Sequence, residues 1–142
     1  MLLARHLAFA RSHSPPEDAH ALDSDGLTAP NISFFVLREG DTLLGIGALK
    51  QLDGNHAEIK SMHTAEVARG RGIGQAMLAH LLAVARSRGC TRVSLETGSM
   101  AAFAPARALY ASAGFRPCEP FDNYRTSPNS TYLTLSLEPS RN

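Results

Sequence analysis

The chain has 142 residues, near the commonest size of a single folded domain, with 44% hydrophobic and 19% charged residues, a balance that excludes a disordered chain. Its 14 Lys and Arg against 13 Asp and Glu leave a formal charge of +1, so no global field draws in nucleic acid or an anionic membrane. With no Trp and 6% aromatic residues, the core has to be built mainly from aliphatic side chains.

At the N-terminus, Leu2, Leu3, His6, Leu7, Phe9 and Ala10 lie on one face at helical spacing, which predicts a helix from Leu2 to Ser12. Arg5 and His6 interrupt the apolar run that a secretory leader would need. Ser14-Pro15-Pro16 ends that helix, and residues 18–30 read as a loop with a short helix or turn. The period then changes. Ile32 to Leu37, Thr42 to Leu52 and Ala57 to Thr64 read as three strands, joined by turns at Glu39-Gly40-Asp41 and Asp53-Gly54-Asn55. Gly45 and Gly47 inside the second strand mark a bulge or a close approach.

After the third strand, Arg69-Gly70-Arg71-Gly72-Ile73-Gly74-Gln75 opens the strongest helix of the chain. Ile73, Met77, Leu78, Leu81, Leu82 and Ala85 form its apolar stripe, with Arg86 and Arg88 near its end and Gly89 after it. Thr91 to Thr97 is a strand, and Ala101 to Ala113 a helix with Pro105 near its start and Gly114 past its end. Phe115 to Cys118 and Thr131 to Leu137 close the chain as strands. The order implies a single α+β domain over residues 1–142, with a mixed, mostly antiparallel sheet flanked by helices.

The glycine-rich loop points to a phosphate ligand. The first amides of a helix lack internal partners and carry about half a positive charge, and glycines let an anion approach them. Arg69 and Arg71 add mobile positive charge beside Gly70, Gly72 and Gly74. No Lys-Ser or Lys-Thr follows, which excludes a nucleotide-triphosphate loop. A dinucleotide fold is a rival, with Glu96 ending the next strand at a suitable distance for a ribose hydroxyl. Against it, its third glycine would fall at Gln75 and the preceding strands form hairpins.

The run Glu58-Ile59-x-x-Met62-x-Thr64, followed by Arg69-x-x-Gly72-x-Gly74, resembles the acetyl-coenzyme-A (acetyl-CoA) signature of the GNAT N-acetyltransferase superfamily. Ala108-Leu109-Tyr110-Ala-Ser-Ala-Gly114-Phe115 is similar to a second segment of that superfamily, and order and spacing agree over residues 32–137. The resemblance implies acetyl-CoA as co-substrate and an amine as acceptor. Backbone groups at Met62, His63 and Thr64 would lie along the pantetheine arm, and the loop from Arg69 to Gln75 would hold the diphosphate. Two departures stand out. The superfamily begins with a strand before its first helix, which this chain lacks in the reading above, so the sheet lacks an edge strand, or borrows one from a second copy in a homodimer, or the given start lies downstream of the real one. Relatives also carry an Asn on the cofactor seven residues before the tyrosine, where this chain has Phe103.

Acetyl transfer needs a neutral amine, and a lysine-like amine is neutral in about one molecule in two thousand at pH 7. Glu58, on the strand entering the loop, is the candidate base, directly or through a water. The resemblance makes Tyr110 the proton donor to the leaving sulfur. Lys60 and the His63 side chain read as solvated strand residues, and the six histidines show no metal-ligand spacing. Cys90 and Cys118 form no C-x-x-C pair and read as free thiols in a reducing, cytoplasmic setting. A non-catalytic acyl-CoA-binding regulatory module and a nicotinamide-dependent oxidoreductase are the alternatives. The acceptor site is expected from residues 2–30, with Glu17, Asp18, Asp23 and Asp25, and from the Pro117 to Ser130 loop, with Glu119, Asp122, Tyr124 and Arg125.

Overall fold

Seven strands run in the order β1-β2-β3-β4-β5-β7-β6 across one sheet. They are β1 (Leu7–Ser12), β2 (Ile32–Glu39), β3 (Thr42–Gln51), β4 (His56–Thr64), β5 (Arg92–Gly98), β6 (Arg116–Pro117) and β7 (Ser130–Ser136), with α1 (Ile73–Ser87) and α2 (Ala104–Ser112) between β4 and β6. The computed structural model describes residues 7–12, 31–65, 68, 70–100, 103–122 and 124–137.

The main departure from expectation is at the start. Residues Leu7–Ser12 form a strand, not the end of a helix, and pair antiparallel with β2 from Leu7↔Glu39 to Ser12↔Phe34. Leu and Ala favour helix by intrinsic propensity, but β2 would otherwise present a row of unpaired backbone groups, and that requirement decides the outcome. The first strand expected to be missing is therefore present, and the edge of β2 needs no second copy to cover it. Residues 2–6 and the turn expected in 18–30 lie outside the described residues.

Alternation along the strands sorts side chains onto two faces. Phe35, Leu37, Leu49, Ala57, Ile59, Val93, Leu95 and Leu133 join the apolar stripe of α1 and Tyr110 of α2 in the main core. Phe34, Val36, Ile46 and Ala48 form a second cluster on the opposite face. Farther along that opposite face β4, β5 and β7 turn polar, with His56, Glu58, Lys60, Ser94 and Thr134. A loop carrying Phe121 and Tyr124 packs there on Tyr132 of β7 and on His56.

Two glycines set how closely α1 approaches the sheet. A Cβ at Gly45 would stand 2.8 Å from Ile73 Cγ2, and one at Gly47 would stand 2.9 Å from Met77 Cγ and 3.0 Å from Leu81 Cδ1. The close approach read from the sequence at these positions is thus made by the helix that follows the glycine-rich loop. Gly47→Val is expected to destabilise the protein by about 1–3 kcal/mol through overpacking, read as a lower urea midpoint with an unchanged slope.

Candidate active site

The pairing of β4 with β5 is parallel and short. It runs from His56↔Arg92 to Ile59↔Leu95 and then stops. On the other side of β4 the register with β3 shifts between Ile46↔His63 and Ala48↔Lys60, so two residues of β4 oppose one of β3. Ser61 sits in that bulge with a φ of 59°, a left-handed conformation rare outside glycine. The bulge bends β4, and beyond Ile59 it carries Lys60 to Thr64 without pairing to β5.

Two cavities lie along this opening. One of about 510 Å³ is lined by Met62, His63, Thr64, Gly74, Leu109 and Tyr110, among others. The other, of about 570 Å³, includes Lys60, Met62, Glu96, Gly98, Phe103 and Tyr110 in its walls. Met62, Phe103, Ala106 and Tyr110 belong to both, so the cavities adjoin. Phe103 lies flat against Gly98, where a Cβ would overlap its ring.

The first cavity reaches the start of α1. Gly70 and Gly72 have φ of 81° and 78°, and Gly72 is the residue before the first helical turn. Among the described residues no side chain caps that turn, and no acidic residue lies in it, so its amides are left for a ligand. Gly74 faces Leu109 and Thr64, with room for a Cβ only at 3.3 Å and 3.8 Å from their side-chain atoms. Other residues of the loop behave differently from one another. The Ile73 side chain is buried in the core, so only its backbone can serve a ligand, while Gln75 is exposed. Arg71 is not a free, mobile charge: its two terminal nitrogens donate to both oxygens of Glu39, at 3.1 and 3.3 Å. Arg69 lies outside the described residues.

Glu58 is 2% exposed and lines neither cavity. The Tyr124 hydroxyl donates to its Oε2 at 2.6 Å, Lys60 Nζ stands 3.7 Å from the same oxygen, and Nζ donates to the Tyr124 oxygen at 3.2 Å. Its Oε1 is buried without a partner among the described residues. Burial pushes the carboxyl above its ordinary range, against the opposing pull of the Tyr124 hydrogen bond and of Lys60. The same burial, reinforced by the Glu58 carboxylate, raises the phenol of Tyr124.

Tyr110, at 6% exposed, stands where the two cavities meet, with its ring edge-on to Phe115 at 5.7 Å. Burial pushes its phenol up to about 12, and its hydroxyl has no hydrogen-bond partner among the described residues. The structure therefore brings Met62, His63, Thr64, Gly74 and Tyr110 together, and sets Glu58 behind Lys60 and Tyr124.

The model of the acetyltransferase (GNAT) family matches residues 3–115. The chain belongs to that family. It is 48% identical over 136 residues to the uncharacterized N-acetyltransferase YsnE of Bacillus subtilis, covering 96% of this chain and 90% of the relative. It is 46% identical to the uncharacterized N-acetyltransferase YedL of Escherichia coli, covering 96% of this chain and 86% of the relative. A GNAT family acetyltransferase from Elizabethkingia anophelis, solved with acetyl-CoA bound, superposes with a TM-score of 0.77 at 17% identity, over 94% of this chain and 99% of that one.

A neighbour of like fold holds acetyl-CoA, the GNAT family match sets the dinucleotide reading aside, and this chain is an N-acetyltransferase. Its residues suit that co-substrate: uncapped amides at the α1 start for phosphate, and an unpaired strand edge beside a cavity for an extended arm. Among the described residues no group of His, Cys, Asp and Glu could hold a metal ion, and no helix is long and apolar enough to cross a membrane.

The sequence missed two partners of Glu58. Lys60 was legible as its neighbour on the same strand face, two residues on. Tyr124 was legible only as part of the acceptor-side loop, since 66 residues separate it from Glu58. Replacing Tyr124 with Phe removes the hydrogen bond that lowers the Glu58 carboxyl. The Glu58 pKa should therefore rise further, as read by its side-chain carboxyl carbon shift during a pH titration; an unchanged or lowered value would contradict this.

Proposed function

We propose that this chain transfers the acetyl group of acetyl-CoA to a primary amine, of a small molecule or a protein, by direct attack of the amine on the thioester. The observation that carries this reading is the meeting of two cavities at Tyr110, through the gap between β4 and β5. One cavity runs back to the uncapped start of α1, and the other opens beside Lys60 and Glu96. A donor entering from the first side and an amine from the second would meet at that gap, which is the positioning that such a reaction needs.

Bound acetyl-CoA would supply an activated acetyl group on a good leaving sulfur. The α1 amides from Gly72 to Gln75 would hold its diphosphate, while Met62, His63 and Thr64 would line its arm. The cysteines argue against an acyl-enzyme step: Cys90 is buried, burial raises the Cys118 thiol, and neither lines either of the two cavities. Both are free thiols, which suits a reducing, cytoplasmic setting.

Glu58 would take up the amine proton. A carboxylate raised by burial is a stronger base near neutrality than an ordinary one, and its buried Oε1 has an unfilled acceptor position. Because Glu58 does not reach the cavity, the proton would travel over an intervening hydroxyl or water, and Tyr124 is the hydroxyl in contact with it. Tyr110 keeps its proton across the physiological range. With a pKa of about 12 against about 8.5 for a free thiol, complete proton transfer would be uphill by about 5 kcal/mol, so its hydroxyl acts better by donating a hydrogen bond to the leaving sulfur.

Acetyl-CoA at a hundredfold excess over its dissociation constant should stabilise the protein by about 2.7 kcal/mol, and a thermal scan without any shift at millimolar ligand would remove the proposal's basis. Tyr110→Phe should lower kcat by about tenfold to a hundredfold with little change in KM for acetyl-CoA. An unchanged kcat in a thiol-release assay would dismiss its role at the sulfur.

A further inference from the structure

Glu96 is a charged group of the cleft to which the reaction above gives no work. In the 570 Å³ cavity it and Lys60 are the two charged residues of the wall, one from β5 and one from β4. Lys60 is already engaged. Of its three donors, one goes to the Tyr124 oxygen at 3.2 Å, and its charge is opposed by Glu58 at 3.7 Å. Glu96 is exposed, and its Oε2 accepts from the Ser130 hydroxyl. Its Oε1 has no hydrogen-bond partner and its charge no ion-pair partner among the described residues. Asp122 and Glu39, by contrast, are paired with Lys50 and Arg71. The cavity therefore presents one uncompensated negative charge. It also presents apolar surface: three large apolar side chains are exposed among the described residues, and two of them, Met100 at 61% and Phe103 at 45%, line this cavity.

We propose that Glu96 receives the charged amine of the acceptor, and that the acceptor is a cationic primary amine with an apolar body and no carboxylate beside its amine. This rests on the acetyl-transfer reading above and names the substrate class for that site. An ammonium donating to Glu96 Oε1 forms a charge-assisted hydrogen bond, stronger in a partly dried cleft than in open water. A carboxylate next to the amine would fall against Glu96, and Lys60 offers little relief because Glu58 already offsets it. An apolar body laid on Met100 and Phe103 would take their surface out of water. Glu96 stabilises the charged form of the amine, so it orients the nitrogen and leaves proton removal to Glu58.

The test compares phenethylamine, phenylalanine and ethylamine as acceptors, with CoA thiol release as the signal. The wild type should use phenethylamine at least tenfold better in kcat/KM than either of the others. Glu96→Gln should raise KM for phenethylamine at least tenfold, leave KM for acetyl-CoA unchanged, and narrow the gap to phenylalanine. Loss of the carboxylate also lowers the pKa of the bound amine, so the acid limb of kcat should move to lower pH; Glu96→Asp should restore part of each effect. Equal use of phenylalanine by the wild type, or an unchanged KM in Glu96→Gln, overturns the proposal while thiol release keeps acetyl transfer standing. If no amine releases thiol, the acetyl-transfer reading falls. Equilibrium dialysis of phenethylamine against the CoA-saturated protein then decides on Glu96 alone: binding lost in Glu96→Gln sustains its role, and equal or absent binding overturns it.

Discussion

The functional geometry of this protein depends on where β4 stops pairing with β5. Four parallel pairs tie the strands together, ending at Ile59↔Leu95, and beyond that point the bulge at Ser61 bends β4. A sheet that ran on without a break would have sealed the space now shared by both cavities. Its backbone edge from Lys60 to Thr64 would have been spent on β5 instead of being left for a ligand. The bulge, with Ser61 in a left-handed conformation, thus lies just past the last β4–β5 pair, beside the residues that both cavities share.

The surroundings of the two cavities have opposite electrostatic character. On the helix side, the start of α1 offers backbone amides with no capping side chain among the described residues and no acidic residue in the first turn, which favours an anion. On the other side lie Glu58, Lys60 and Glu96, with Tyr124 bridging the first two. Tyr110, without a hydrogen-bond partner among the described residues and kept protonated by burial, stands where the two cavities meet.

Holding this arrangement is a matter of packing more than of polar contacts. Gly45 and Gly47 let α1 sit directly on β3, and the buried Ile73, Met77 and Leu81 fill that contact. The helix start, with its uncapped amides, is therefore registered against the same sheet that carries the bulge. The Glu39 and Arg71 pair adds a tie from the β2–β3 turn to the loop, though a half-exposed pair of this kind contributes little stability.

The sequence alone determined most elements from Ile32 onward, because hydrophobic period, turn residues and helix punctuation are local properties of the chain. It also determined the glycine-rich start of α1 and the family, through residues whose meaning lies in short spacing. Only tertiary structure decided Leu7–Ser12, where the open edge of β2 overruled a helical pattern. Only tertiary structure set Tyr124 on Glu58, held Arg71 to Glu39, and left Glu96 without an ion-pair partner among the described residues in the cavity that Lys60 also lines. Those facts join residues distant along the chain, and burial and charge balance arise from what surrounds a group in space, which no local spacing encodes.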